Sequence, residues 1–128
     1  MAIRIVRLGT PRHPQEGLRI GTVRRPPRGV PKAKFAAENW YDVWLPVLAP
    51  SLETMKLGQA AETPSQWAAF VRKYRSEMAE PAASQTLDVL AALSKTADFS
   101  VGCYCENEAH CHRSVLRELL TDRGATLA

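Results

Sequence analysis

The stretch FSVGCYCENEAHCHRSVLRELLT, residues 99–121, decides the fold of this chain. It opens with a short apolar run that suits an interior strand, passes through the polar loop ENEA, and ends in apolar residues at helical spacing. Gly124 follows soon after as a helix stop. We therefore predict a strand at Phe99–Cys105, a helix at His110–Thr121, and between them a loop at the carboxyl edge of a sheet.

The residues upstream supply further strands. Apolar and charged residues alternate in Ala2–Gly9 and in Leu18–Val23, which is typical of strands with one buried face. A third segment, Tyr41–Val47, fits both a strand and a helix, but Pro46 and Pro50 count against a long helix. We favour a strand there.

Helices are predicted in the middle of the chain. The clearest start is Thr63–Gln66, which has Thr at the N-cap, Pro at the first helical position and Gln at the third, the capping-box pattern. Ser51–Gly58 forms a short helix, and a further helix is expected over Ala82–Thr96. This order of elements predicts an α/β fold: a single three-layer domain over residues 1–128, with a mainly parallel sheet covered by helices.

The composition limits the class of protein. With 128 residues, 45% of them hydrophobic, the chain can bury a core without disulfides. The opening MAIRIVRLG lacks the apolar run of a signal peptide, and no stretch approaches the length of about 20 apolar residues that a membrane span needs. Three cysteines is an odd number, which favours reduced thiols. We expect a cytoplasmic protein that does not bind membranes.

The charge is unevenly distributed. Residues 1–40 carry nine Lys and Arg against two Glu, whereas the remainder carries eight against eleven acidic residues. Such segregation favours an anionic partner, which is phosphate, a nucleotide, a nucleic acid or a protein. The simpler alternative is a solvated, arginine-rich surface. Three of the arginines lie in RRPPRGVPK, residues 24–32, where three prolines and a glycine exclude regular structure.

The loop before the last helix concentrates reactive side chains. All three cysteines and two of the three histidines lie within residues 103–112. A thiol at a helix N-terminus beside His or Arg has a lowered pKa, and the same helix end attracts anions. A first-third arginine, Arg24 or Arg28, is expected to lie across from this loop. The candidate catalytic residues are Cys105, Cys111 and His112, and the candidate binding residues are Arg24, Arg28, His110 and Arg113.

A metal site is a second interpretation of the same loop. Cys103 and Cys105 fall on one face of a strand, and Cys111 with His110 or His112 completes a set of four ligands. Structural zinc sites usually pair cysteines that are two to four residues apart, and C-x-C is tighter. We therefore assign no metal ligand and no cofactor from the sequence.

Simple packing is a third interpretation. Free cysteine is among the most buried residue types, so for Cys103 alone a packing role is favoured. His110 would then cap the helix, and Arg113 would pair with Glu106 or Glu108. Five soft or basic groups at one strand–helix junction nevertheless exceed what packing needs, which favours a functional site.

The signature C-x-C-E-x-x-x-H-C-H-R-S at residues 103–114 resembles the family catalogued as domain of unknown function 488, DUF488. The pattern RIVRLGTPR…EGLRIGTVRRPPRGVPK is similar to its YeaO-like branch, and VLAPS at residues 47–51 and F-x-x-x-Y-R-x-E at Phe70–Glu77 also look like that family. The resemblance implies a compact three-layer α/β domain and brings no established reaction with it.

The chain departs from the branch pattern at one segment. Members carry D-R-x-W-P-R-G at positions equivalent to Val23–Gly29, and this chain reads VRRPPRG. The acidic residue and the tryptophan of the segment are missing here, so no role assigned to them carries over. Pro27, Arg28 and Gly29 match, and Arg24 falls at the first family arginine.

Three functions follow, in decreasing order of support. The first is a protein or enzyme that binds an anionic, phosphate-bearing small molecule or nucleotide and uses a reactive thiol. The second is a nucleic-acid-binding module that uses the basic first third. It is weakened because no aromatic residue precedes Phe35, and single-strand binders need aromatic side chains for stacking. The third is a Cys/His metal-binding domain.

Overall fold

The computed structural model describes residues 1–128 and has an α/β fold, which confirms the predicted class. The four strands are β1 (Ile3–Arg7), β2 (Leu18–Gly21), β3 (Val43–Trp44) and β4 (Phe99–Cys103). The four α-helices are α1 (Leu52–Ala60), α2 (Pro64–Met78), α3 (Pro81–Leu93) and α4 (His112–Asp122). Short 3-10 turns occur at Lys32–Lys34, Pro46–Leu48 and Glu108–His110.

All neighbouring strands in the sheet are parallel, in the order β1-β4-β2-β3. β4 is central: Val101 pairs with Ile5 on one side and with Ile20 on the other. All five residues of β4 are buried, as expected for a parallel strand covered on both faces. The prediction of a central parallel strand that leads into a helix within two residues of His110 is confirmed.

One face of the sheet packs against the helices. Ile3, Ile20, Phe99 and Val101 belong to a buried cluster that also contains the apolar sides of α2, α3 and α4. The helix residues of this cluster are Phe70, Tyr74, Met78, Ala83, Leu87, Leu90, Val115, Leu116, Leu119 and Leu120. Burial of these side chains is the main stabilising contribution to the fold.

The opposite face is covered by the two connections that follow β1 and β2, over residues 8–17 and 22–42. Tyr41 from the second connection lies directly over Gly21, where any Cβ atom would run into the tyrosine ring. The third layer predicted from the sequence is therefore built from connecting segments on this side. The second connection carries the arginine-rich stretch of residues 24–28, which follows β2 at its carboxyl end.

A buried ion pair fastens these connections to the sheet. The guanidinium of Arg19 is fully buried and donates to both carboxylate oxygens of Glu16, at 2.6 and 2.9 Å. It also donates to the backbone oxygens of Thr10 and Asn39, and Ser100 donates to Glu16 at 2.7 Å. Burial acts to raise the pKa of Glu16, but the hydrogen bonds from Arg19 and Ser100 outweigh it and lower that pKa.

Several element boundaries differ from the sequence predictions. The strand predicted over Phe99–Cys105 ends at Cys103, and the helix predicted over Ala82–Thr96 is Pro81–Leu93. In the predicted strand over Tyr41–Val47 only Val43–Trp44 is a strand, because Pro46 has no N–H for the ladder and begins a 3-10 turn. The last helix begins at His112, since Asn107 caps a separate 3-10 turn before it. The first helix continues past Gly58 to Ala60. The capping box at Thr63 is present as predicted, and no helix is both long and apolar enough to cross a membrane.

Removing the charge of Glu16 tests the importance of the buried pair. Glu16→Gln leaves the buried Arg19 guanidinium without its counter-charge, so we expect the free energy of unfolding in urea at pH 7 to fall by about 3–5 kcal/mol. Because the folded-state pKa of Glu16 is lowered, this contribution is present above the ordinary glutamate pKa and is lost as the pH falls through the folded pKa.

The matched control is Lys73→Gln, which breaks the exposed pair between Lys73 and Glu53. It should cost at most about 1 kcal/mol. Equal losses for the two variants would show that the Glu16–Arg19 pair does not hold the connections to the sheet.

Candidate functional site

A cavity of about 1010 Å³ opens where β1, β2 and β4 end. Its lining comes from the residues that follow each of these strands, from the loop before α4, and from α1 and α2. Six of the seven residues predicted from the sequence line it, namely Arg24, Arg28, Cys105, His110, Cys111 and His112. The cavity therefore lies at the strand edge where parallel α/β sheets bind ligands.

The inner wall of this cavity holds a buried cluster of two cysteines and one histidine. Cys103 is the last residue of β4, Cys111 precedes α4, and His112 is its first residue. Their ligand atoms, two sulfurs and one ring nitrogen, all lie within 4.8 Å of one another. The sulfur of Cys105 lies 3.8 Å from that of Cys103, because alternate residues of an extended chain point the same way.

His112 is held in one orientation by the end of β2. Its Nε2 lies 2.8 Å from the backbone oxygen of Thr22, and a carbonyl oxygen can only accept a hydrogen bond. Nε2 therefore carries a proton, and in the neutral ring Nδ1 presents its lone pair towards Cys111, whose sulfur is 3.9 Å away. Tyr74 packs edge-on against the ring from the helical side, with a centroid distance of 5.5 Å.

The three thiols differ in acidity. Hydrogen bonds from Cys103 and Cys105, together with the nearby His112, lower the pKa of Cys111 despite its burial. The pKa of Cys103 is raised, chiefly by its hydrogen bonds with Cys105 and Cys111 and by burial. A hydrogen bond with Cys103 acts to lower the pKa of Cys105, but its interaction with Cys111 and burial outweigh this and raise it. Of the three thiols, Cys111 is therefore the one whose surroundings most favour the thiolate.

Two arginines of α4 hold the loop that precedes the helix. Arg113 is only 3% exposed and donates to the backbone oxygen of Cys105 at 2.6 Å. Arg117 forms two hydrogen bonds with the carboxylate of Glu108, at 2.7 and 3.0 Å, and lowers the pKa of that carboxyl. Arg113, predicted to clamp an anion, thus contacts protein and does not line the cavity. Arg113 also forms no ion pair with Glu106 or Glu108, which the packing interpretation of the sequence had expected.

The lining of the cavity is strongly basic. Four arginines line the cavity and no Asp or Glu does. Only Arg7 among them has an acidic partner, Glu106 at 3.7 Å. Arg24 is oriented by hydrogen bonds to the backbone oxygens of Ala49 and Pro50, at 3.1 and 3.2 Å. The four arginines are Arg7, Arg24, Arg25 and Arg28.

Several residues that line the cavity were not predicted from the sequence. Arg7 ends β1 and Val23 lies just after β2, so the rule that ligands bind at the carboxyl ends of parallel strands was a usable signal for both. Trp67 comes from α2 and stacks between Phe70 and His110, with centroid distances of 4.6 and 5.1 Å. Its position depends on how α2 packs against the loop, and no local pattern encodes that.

A family model described as "Active DUF488-N3 subclade" matches residues 3–124 of the chain. The matched span contains all four strands, all four helices and every residue that lines the cavity. No curated protein and no solved structure matches the chain.

The lowered pKa of Cys111 has a direct chemical test. In chelator-treated protein, iodoacetamide should modify Cys111 at pH 6.5, well below the ordinary thiol pKa of about 8.5, because the thiolate is the reacting form. Cys105 is exposed but has a raised pKa, so it should react only at higher pH.

Peptide mapping after timed alkylation measures each cysteine separately, and Cys111→Ser is the control that should abolish the reaction at pH 6.5. Modification of Cys105 before Cys111 across the whole pH range would contradict the assignment of the thiolate.

Proposed function

The chain belongs to the DUF488 family, in its active DUF488-N3 subclade, and on that premise we propose that it binds a phosphate-bearing small molecule in the cavity and that Cys111 reacts there. The observation that carries this proposal is the lining of the cavity. That lining includes four arginines and no acidic residue, together with the sulfur of Cys111 beside an oriented histidine.

The positive charge of the lining favours a phosphate group as the ligand. Guanidinium groups bind phosphate through paired hydrogen bonds and stay charged at every physiological pH. Arg24, Arg25 and Arg28 form no ion pair within the protein, so their charge is available to a ligand. Arg24 is already held by two backbone oxygens, which lowers the entropy lost on binding.

The shape of the site supports a small molecule over a nucleic acid. A volume of about 1010 Å³ lies at the upper end of the range of about 300–1,000 Å³ that is common for small-molecule pockets. The arginines of residues 24–28 face this concave cavity together with aromatic walls from Trp40, Trp67 and Tyr104. Such a combination suits a nucleotide, with phosphate at the arginines and an apolar part against the aromatic rings.

The thiolate gives the proposed site its chemistry. Cys111 supplies the nucleophilic sulfur, and Nδ1 of His112 lies 3.9 Å from it, within hydrogen-bonding reach of the thiol. The pKa of Cys105 is raised, and its sulfur lies 3.8 Å from that of Cys103 at the start of the loop. The YeaO-like assignment and the cytoplasmic location are finer predictions from the sequence and remain part of this proposal.

Anion binding can be tested with pyrophosphate as the probe. Arg24→Gln and Arg28→Gln should each weaken binding by about 1.5–3 kcal/mol, the scale of a hydrogen bond to a charged group. The two losses should not add, because both side chains contact one anion. Isothermal titration calorimetry at fixed ionic strength measures each affinity.

Arg72→Gln is the matched control, since Arg72 is an exposed arginine of α2 that does not line the cavity. It should leave the affinity unchanged. Additive losses for Arg24 and Arg28, or a loss for Arg72 of the same size, would favour a diffuse basic surface of the kind that nucleic-acid-binding modules use.

A further inference from the structure

The cysteine–histidine cluster at the inner wall of the cavity also has the ligand types of a metal site. We propose that Cys103, Cys111 and His112 form a Zn²⁺ site, with the two sulfurs and Nδ1 as three ligands and the fourth position open to the cavity. This inference rests on the proposed function for the use of that open position, and it replaces the proposed role of Cys111 as a nucleophile with that of a metal ligand. Metal binding itself does not require the anion.

The spacing of the three ligand atoms is close to that of a tetrahedral zinc site. With Zn–S distances of about 2.3 Å, two sulfurs of a regular tetrahedron lie about 3.8 Å apart, and a sulfur and a nitrogen somewhat closer. The observed atoms all lie within 4.8 Å of one another, and the sulfur of Cys111 is 3.9 Å from Nδ1 of His112. Side-chain shifts of about an ångström or less complete the geometry.

The histidine is already oriented as a metal ligand. A histidine bound to zinc commonly donates its other ring N–H to a backbone carbonyl or a carboxylate, which fixes the tautomer. In this protein Nε2 of His112 donates to the backbone oxygen of Thr22 at 2.8 Å. Thr22 is in turn fixed to β4 through Gly102, by its backbone N–H at 2.9 Å and its hydroxyl at 3.0 Å.

The chemistry of the donors selects a soft divalent ion. Thiolate and imidazole favour zinc, whereas magnesium and calcium require oxygen ligands. The two carboxylates nearest in sequence are engaged elsewhere, Glu108 with Arg117 and Glu106 with Arg7. Two thiolates and Zn²⁺ together are neutral, so the ion also removes the cost of a buried negative charge.

An open fourth position distinguishes this site from a purely structural zinc. Structural sites use four protein ligands, whereas catalytic sites use three and leave one position for water or substrate. Cys103, Cys111 and His112 all line the cavity that the four arginines also line. Zinc bound there would act as a Lewis acid on a ligand oxygen, and Cys111 would serve as a ligand in place of a nucleophile.

Cobalt provides the spectroscopic test, because Co²⁺ occupies tetrahedral zinc sites and absorbs characteristically when it is bound by thiolates. Titration of chelator-treated, reduced protein with Co²⁺ should give a thiolate-to-cobalt charge-transfer band that saturates at one equivalent. The band should disappear when Zn²⁺ is added, because Zn²⁺ displaces Co²⁺. Cys103→Ser and Cys111→Ser should each weaken binding by roughly 100-fold or more, above the loss seen when only an outer-shell partner of a metal ligand is removed.

Cys105→Ser is the matched cysteine-to-serine control. It should retain the metal with an affinity within roughly threefold of wild type, since a ligand lost from the site costs far more than this. Loss of binding in Cys105→Ser equal to that in Cys111→Ser would show a closed, four-ligand site and overturn the open position. A wild-type spectrum without thiolate absorption would overturn the metal site altogether.

Pyrophosphate binding to the metal-free protein separates this inference from the proposed function. Anion binding without metal binding would refute the zinc site alone. Metal binding without anion binding would refute the proposed ligand and leave the zinc site standing. The wild-type titration keeps the test valid even if a cysteine variant fails to fold.

Discussion

The hydrogen bonding of β4 on both of its edges is the constraint on which the rest of this structure depends. The ladder continues past the strands themselves: Leu8 donates to the backbone oxygen of Cys103 at 2.8 Å, and Thr22 donates to that of Gly102 at 2.9 Å. A shift of β4 by one residue would turn Cys103 to the opposite face. The register therefore fixes where the first sulfur of the cluster lies, and the loop and α4 bring Cys111 and His112 to it.

Much of this arrangement could be predicted from the sequence, because local patterns encode it. The apolar run before Cys103 indicated the central strand, and the capping box at Thr63 marked the start of α2. Contacts between distant segments could not be predicted. Arg113 is an example: its charge and its position in the first helical turn suggested an anion ligand, but its neighbour in space is the backbone oxygen of Cys105.

The excess basic residues among the first forty have two different roles, and the sequence alone does not tell which residue has which role. Arg19 and Arg12 are structural, since Glu16 and Asp42 pair with them and hold the connections that cover one face of the sheet. A second group of arginines lines the cavity and makes little use of protein carboxylates. Only this second group is free to bind the anionic partner that the net charge predicts.

The central claim is that the arginines and the Cys111 thiolate face a single bound anion. The most direct test is the rate at which iodoacetamide modifies Cys111 in metal-free protein as pyrophosphate is added. We expect saturable protection whose midpoint equals the dissociation constant of pyrophosphate, and its loss when Arg24 and Arg28 are both replaced by Gln. An alkylation rate that is unchanged at saturating pyrophosphate would contradict the claim, because the anion and the thiolate would then lie at separate sites.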